Sequence, residues 1–317
     1  MALRARGSSL QVLSKVESTA GTAATGNYTL LPVFTYELSA TQELTQDNVL
    51  STNSSRRNVG DPSLGPIDVA GNARVPLDLE NFGNWCHLLF GAATDTGTTN
   101  YTHTWKSGLT TLPSATQEKG FRDASEFFLY TYVKANSLSV DFTPSGSADA
   151  TIGLMGQDEA IATSTGGGTP QWAGMTRFHR FMGSITRNGS ELANVTAASF
   201  QFSNGLEQVR DIRASLSNNG VDEGLVTASG SLTVRFSDDT LITDAIAQTS
   251  CSLALALTIS SVKSLAFTFP RVFLGRPSIP VSGPGGIEVQ YPWQAAHDTS
   301  SSSLMTTVLK NQTAAYS

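Results

Sequence analysis

The chain has 317 residues and a net charge of −6, with 39% hydrophobic and only 15% charged residues. Its length can bury a sizeable core and suggests about two domains, at roughly 150 residues per domain. Proteins that grip nucleic acid through its phosphates need clustered basic residues, and the densest clusters here are pairs such as Arg56 and Arg57, so sequence-specific DNA binding is not expected.

The chain shows no sign of a targeting sequence or a membrane span. Met1–Glu17 contains basic residues but lacks the apolar core of a signal peptide. The longest apolar stretch, around Leu253–Ile259, is too short to cross a bilayer. Two cysteines, Cys86 and Cys251, are too few for a disulfide framework and fit a reducing compartment. We therefore expect synthesis in a cytoplasm.

Alternating apolar and polar residues in the first half predict β-strands with one buried face. The predicted strands are Phe34–Gln42, Tyr101–Lys106, Glu126–Val133, Ser137–Phe142 and Ala150–Gly156. The polar segment Leu44–Pro66 is longer than the loops of most compact domains. Its length favours an arm that becomes ordered on a neighbouring subunit, and disorder is the alternative.

One helix is predicted in the first half, over about Leu79–Phe90. Asp78 can cap its N-terminus, and Gly91 is a typical residue to end it. Its apolar stripe consists of Phe82, Trp85, Leu88 and Leu89. The helix is expected to cover one face of a sheet.

The Gly-rich segment Thr163–Pro170 is the best candidate for a linker to the second half. The strands predicted there are Ala197–Ser203, Leu253–Ile259, Ser264–Phe269, Gly286–Tyr291 and Leu304–Leu309. A second helix is predicted over about Asp239–Gln248, capped by Ser237 or Asp238. Its apolar stripe consists of Leu241, Ile242, Ala245 and Ile246.

The two halves repeat the same succession of elements. Gly71–Phe82 matches Gly230–Leu241 as a glycine, a short strand, an acidic turn and a helix, at an offset of 159 residues, close to half of the 317-residue chain. This offset indicates a tandem duplication, with one domain in residues 1–160 and another in residues 161–317. Lysine, arginine, aspartate and glutamate give residues 1–160 a charge of −6 and residues 161–317 a charge of zero.

Motifs for catalysis, cofactors or metals are not found in the sequence. The four histidines show no metal-ligand spacing, and no phosphate-binding loop or nucleophile elbow is present. Cys86 and His87 are adjacent, but neighbouring residues of a helix do not face each other, so a core position is the favoured interpretation. We expect no enzyme activity, no cofactor and no metal.

Four parts of the sequence are specific in combination: the opening segment Lys15–Ala24, Gly71–Gly91, Ala135–Phe142 continuing to Ile152–Gly156, and Ser199–Thr240. Together they resemble major tail tube proteins of long-tailed, siphovirus-like bacteriophages. The resemblance covers most of the chain.

The resemblance implies a mainly β, tandemly duplicated tail-tube fold, in which each copy is a β-sandwich or half-barrel with one flanking helix. In that family one sheet joins the sheets of its neighbours into a ring of six units. Two units per chain then imply a ring of three chains with pseudo-sixfold symmetry, stacked helically into the tube of a virion tail. DNA would pass through the bore during ejection without specific binding, and no contact with a membrane is implied.

Partners implied by the resemblance are further copies of the chain and the tape-measure, tail-tip and terminator proteins. Ring stacking needs axial contacts, for which the polar termini Met1–Glu17 and Asn311–Ser317 and the loops Leu44–Pro66 and Val209–Gly224 are candidates. The candidate inter-subunit contact residues in these loops are Arg56, Arg57, Asp61, Arg210, Arg213 and Asp222. The alternatives are another virion or surface β-sandwich, such as a capsid decoration protein or an adhesin, and an enzyme on a β-sandwich.

Overall fold

The computed structural model describes residues 4–46, 61–279 and 283–316. In the first half the strands are β1 Leu10–Val16, β2 Thr29–Leu30, β3 Thr35–Tyr36, β4 Ser39–Thr45, β5 Ser63–Pro76, β6 Thr94–Thr96, β7 Tyr101–Lys106, β8 Ala115–Phe121, β9 Glu126–Phe142, β10 Asp149–Gly156 and β11 Asp158–Ala162. The second half contains β12 Gly183–Arg187, β13 Ser190–Glu191, β14 Val195–Ser203, β15 Glu207–Gln208, β16 Val221–Asp222, β17 Thr227–Arg235, β18 Cys251–Ser260, β19 Lys263–Leu274, β20 Glu288–Ala295 and β21 Thr306–Asn311.

The helices are few and short. The described residues contain the α-helices α1, Phe82–Phe90, and α2, Thr240–Ala247, with short 3₁₀ helices at Gly7–Ser9 and Arg180–Met182. Within the described part of the chain, no helix has both the length and the apolar character to cross a membrane. The many strands and the two short α-helices confirm the predicted mainly β fold with flanking helices.

Six strands are hydrogen-bonded in the same order in each half. The first repeat has the order β4–β5–β10–β9–β8–β1, and the second has β14–β17–β20–β19–β18–β12. All these pairings are antiparallel, and a helix follows β5 in one repeat and β17 in the other. The repeat indicated by the sequence is thus present in the strand pairing as well.

The register agrees residue by residue at several points. Gly71 and Gly230 occupy the same place: an added Cβ would collide with the carbonyl oxygen of Glu37 at the first and of Ser199 at the second. Both glycines leave room for a neighbouring strand, which a side chain would push away. The same bulge also occurs twice, because β8–β9 shifts from the pair Ala115–Val133 to Gln117–Tyr130 and β18–β19 shifts from Cys251–Val272 to Leu253–Phe269.

The two repeats share main-chain hydrogen bonds and one core. β9 pairs with β14, and β7 pairs with β21. Phe82 of α1 contacts Phe267 of β19 edge to face, at 6.1 Å between ring centroids, so aromatic packing crosses from one repeat to the other. The domain boundary between residues 160 and 161 stays a prediction.

The first helix agrees with its prediction except at its start. It begins at Phe82 and not at Leu79, because Asp78 accepts hydrogen bonds from the main-chain N–H groups of Asn81 and Phe82 and so holds the preceding turn. Its predicted apolar stripe is buried, and Gly91 ends it at φ 87°.

The second helix is less covered than predicted. Leu241 and Ala245 are buried, but the prediction for Ile246 is wrong, since its side chain is 56% exposed. Asp238 caps the helix through the Thr240 N–H.

Several predicted boundaries change. The loop Leu44–Pro66 is shorter than predicted, because β4 continues to Thr45 and β5 begins at Ser63. The two strands predicted over residues 126–142 are one strand, β9, whose first part pairs with β8 and β11 and whose second part pairs with β10 and β14. In the predicted linker, Gly166 donates its N–H to Glu118, and Gly167 lies against Leu13 and Tyr28.

A candidate assembly interface

The contact between the two repeats is an edge-to-edge β joint within one chain. β9 and β14 pair antiparallel from Ser137–Ser203 to Phe142–Ala198. Asn204 continues the ladder by donating its main-chain N–H to Asn136. This internal joint, β9–β14, shows how one copy of the repeated fold binds the next.

Two side chains complete the internal joint at the end of α1. The Phe202 ring lies 5.1 Å from the Phe90 ring, between centroids. The Asn204 side-chain amide donates to the carbonyls of Leu89 and Ala135, each at 3.0 Å, and Asn204 is 3% exposed. An aromatic ring and a carboxamide from the second repeat therefore fix the helix and strand of the first.

The segment Leu206–Gly224, here called the second arm, lies across the first repeat. The predicted loop Val209–Gly224 thus contacts the other repeat of its own chain. Arg210 Nη2 contacts the Asp68 carboxylate at 2.5 Å, and the Ile67 N–H donates to the Leu216 carbonyl at 2.8 Å. The short strands β15 and β16 pair at the base of the second arm.

A buried ion pair fixes the end of the second arm. Lys134 is 2% exposed and donates to Glu223 Oε1 at 2.7 Å and to the Val221 carbonyl at 2.9 Å. Burial alone would raise the pKa of Glu223, but hydrogen bonds from Lys134 and from the Leu112 N–H outweigh it and hold this pKa below its usual value.

The sequence-predicted contact residues are distributed over several places. Arg56 and Arg57 lie outside the described residues, and Asp61 is exposed. Arg210 joins the second arm to the first repeat, whereas Arg213 binds carbonyls and a side chain within the arm, at Ser217, Asn218 and Asn219. Asp222 is exposed on β16. Contact of these residues with another subunit stays a prediction.

Sequence reasoning missed the residues that carry the internal joint. Lys134 is a single polar residue between Val133 and Ala135, Asn204 follows Ser203 at the end of a strand, and Glu223 lies in a polar loop. The one available signal was an isolated lysine inside the apolar run of β9, because a buried lysine requires a partner.

The solvent-facing side of the shared sheet is polar and carries few charges, which are Asp141, Arg235 and Glu288 besides the pair Arg74 and Asp149. Core residues such as Leu138 and Ile152 alternate with hydroxyl and amide side chains that point away from the core. The latter are Asn72, Ser137, Ser139, Thr151, Ser199, Gln201, Ser229, Ser231, Thr233, Gln290 and Gln294. Arg74 on this face is neutralised by Asp149 at 2.7 Å.

Conventional chemical sites are not assembled in the described residues. No group of histidine, cysteine, aspartate and glutamate side chains there could hold a metal ion. Cys86 is buried, and burial raises the pKa of its thiol well above the usual value, which disfavours a nucleophilic thiolate. His103 is buried and bonded to Asp95 at 2.6 Å and to the Thr313 carbonyl at 2.9 Å, which ties the C-terminal segment to β7.

A family model described as phage tail tube protein matches residues 7–295, which include both repeats. No curated protein matches the chain.

Proposed function

This chain belongs to the phage tail tube protein family and is a structural component of a virion tail, and from that premise we propose that it polymerises into stacked rings that form the conduit for DNA ejection. Each ring contains three chains and therefore six repeats. The tape-measure, tail-tip and terminator proteins are the expected partners along and at the ends of this tube.

The observation that carries this proposal is the internal joint β9–β14. One edge of the first repeat binds the opposite edge of the second. The outer edge of β4, away from β5, has no strand partner in the described part of the chain. Repeating the same step from the second repeat of one chain to the first repeat of another is a head-to-tail contact, which closes into a ring when the rotation fits. Closure also removes open sheet edges, which otherwise invite uncontrolled pairing.

The polar face of the shared sheet supports a role as a DNA conduit. A surface of serine, threonine, asparagine and glutamine side chains offers few fixed positive charges to DNA phosphates. DNA would therefore pass along this face without being retained. Assembled tubes of Ser139→Lys or Gln201→Lys should retain DNA at low salt and release it as salt is raised, whereas wild-type tubes should not.

Electron microscopy of the concentrated protein, with rings averaged end-on, tests the assembly. Hollow rings with threefold or pseudo-sixfold symmetry that stack with a regular axial repeat are the expected result. Discrete compact particles, both alone and with a tail-tip complex as nucleus, would overturn the proposal and favour a capsid decoration protein or an adhesin.

A further inference from the structure

Resting on the proposed function, we propose that the outer edge of β4 pairs with Arg276–Ile279 of a second copy, and that Gln42 takes the part that Asn204 plays in the internal joint. The expected antiparallel register is Leu38 with Ile279, Ser39 with Ser278, Ala40 with Pro277, and Thr41 with Arg276.

The donor edge follows from the equivalence of β4 and β14. Gln42 of β4 pairs with Ile67 of β5. Asn204 directly follows Ser203 of β14, which pairs with Thr227 of β17. Gln42 and Asn204 therefore occupy the same position of the two repeats. Both residues carry a carboxamide. Asn204 is buried in the internal joint, whereas Gln42 is exposed and, among the described residues, donates to the Gly65 carbonyl at 2.7 Å.

The acceptor edge follows from the equivalence of β9 and β19. Ala135 pairs with Leu154, which in turn pairs with Gly71. In the same way, Leu274 pairs with Trp293, which in turn pairs with Gly230. Beyond Ala135, β9 continues as a strand because β10 and β14 hold it on both sides. Beyond Leu274, the β19–β20 ladder stops, and Arg276–Ile279 belongs to no strand. This segment is the counterpart of the part of β9 that binds β14.

A groove marks the place that the second copy would fill. It has a volume of about 850 Å³ and is lined by residues that include Gly230, Gln248, Leu274, Gly275 and Trp293. Gln248 and Leu274 are the counterparts of Leu89 and Ala135, whose carbonyls both bind the Asn204 amide in the internal joint. In the proposed contact, the Gln248 and Leu274 carbonyls accept from the Gln42 carboxamide of the next chain in the same way.

An exposed apolar residue on β4, Leu44, would be covered by the same contact. Leu44 follows Gln42 by two residues, as Leu206 follows Asn204. Leu206 is 5% exposed in a cluster with Leu112 and Val221, whereas Leu44 is 66% exposed. Burial of Leu44 against a neighbour would remove this apolar surface from water.

Both edges carry features that oppose premature pairing. Lys119 Nζ donates to the Leu38 carbonyl at 2.7 Å, and its counterpart in the second repeat is Leu255, which carries no charge. Pro277 has no N–H, so it cannot supply the donor that Leu138 supplies in the internal joint. Lysine and proline on open edges are common means of avoiding edge-to-edge association.

Cysteine cross-linking between two chains tests the register. A pair that directly faces across the strands lies within disulfide range, whereas a pair displaced by two residues lies about 7–8 Å apart and outside it. Chains carrying Ser39→Cys are mixed with chains carrying Ser278→Cys, and the control mixture pairs Ser39→Cys with Arg276→Cys. Native Cys86 and Cys251 are buried and free, so background should be low.

Under mild oxidation we expect at least about tenfold more covalent dimer from the Ser39–Ser278 mixture than from the control. Tubes without this preference would overturn the pairing and leave the proposed function intact. The preferred dimer without rings or tubes would uphold the pairing and overturn the function. If neither the covalent dimer nor tubes form, both the pairing and the proposed function are overturned.

The Gln42 contact has its own test. Gln42→Ala should raise the critical concentration for assembly about tenfold without changing the melting temperature of the unassembled chain, and Gln42→Asn should restore most of the loss. Gln290→Ala on the polar face is the matched control and should assemble normally. Equal assembly of Gln42→Ala and the control would overturn the contact.

Discussion

Lys134 and Glu223 are 89 residues apart in sequence and belong to different repeats, yet Lys134 Nζ lies 2.7 Å from Glu223 Oε1. The lysine is almost completely buried in β9, and the glutamate ends the second arm. Because an unpaired buried charge is far costlier than a paired one, this contact makes the position of the second arm depend on the first repeat.

Loss of one partner should therefore release the arm. Glu223→Ala leaves Lys134 buried without its counter-charge and should destabilise the chain by about 3 kcal/mol. The second arm should then become sensitive to limited proteolysis. The double variant Lys134→Met with Glu223→Leu should recover most of the stability, since it removes both charges. A single variant as stable as the double variant would contradict this account.

The pH dependence of stability should carry a contribution from Asp78. Burial raises its pKa from 3.8 to about 6, against hydrogen bonds from Asn81 and Phe82 that lower it. A raised pKa means that the folded chain binds the proton more tightly than the unfolded chain. The resulting stabilisation of the folded state is complete below pH 3.8 and is lost as pH rises to about 6. Asp78→Asn cannot titrate. Relative to wild type, its free energy of unfolding should increase by at most about 3 kcal/mol between pH 4 and pH 7. Parallel curves for the two proteins would contradict the assignment.

The two equivalent glycines should respond alike to substitution. Gly71→Ala and Gly230→Ala each place a Cβ against the carbonyl of an adjacent strand and should each destabilise the chain by about 1–3 kcal/mol in chemical denaturation. Gly286→Ala is the control, because no atom lies within 4 Å of its added Cβ. A control as damaging as the other two would show that close strand approach is not the cause.

Pro277 should limit the strength of the contact between chains. Pro277→Ala supplies the missing N–H donor. It should lower the critical concentration for assembly about tenfold, because the contact gains about one hydrogen bond. The critical concentration is measured by light scattering as a function of protein concentration. Pro144→Ala, in the exposed turn after β9 and away from the groove that Leu274 and Trp293 line, is the matched control and should leave assembly unchanged. An unchanged critical concentration for Pro277→Ala would contradict its role at the edge.

Deletion of Ser51–Gly60 should separate folding from assembly. This segment, with Arg56 and Arg57, lies outside the described residues and follows β4, as the second arm follows β14. We expect a folded chain with an unchanged circular dichroism spectrum that forms no tubes. Arg74→Ala is the control: it breaks an exposed ion pair with Asp149 inside the chain, worth less than about 1 kcal/mol, and should still assemble. Normal tubes from the deletion would refute the arm hypothesis.

The sequence predicted much of the fold because local patterns report burial. Alternation in Ser137–Phe142 identified a strand with one buried face, and the match between Gly71–Phe82 and Gly230–Leu241 revealed the repeat. Among the six paired strands of each repeat, β1, β8 and β12 were missed. In β8, four consecutive residues from Ala115 to Glu118 are buried, so no alternating pattern was available to identify it.

The sequence by itself determined the mainly β character, the two helices and the duplication, since periodicity and glycine positions reflect which side of a segment faces the core. Only the tertiary structure decided which edges meet. Main-chain hydrogen bonds between strands are nearly independent of side-chain identity, so the pairing of β9 with β14 is not written in either strand alone. The partners of Lys134 and Asn204 depend on that pairing, because distant segments become neighbours only when the sheets are complete.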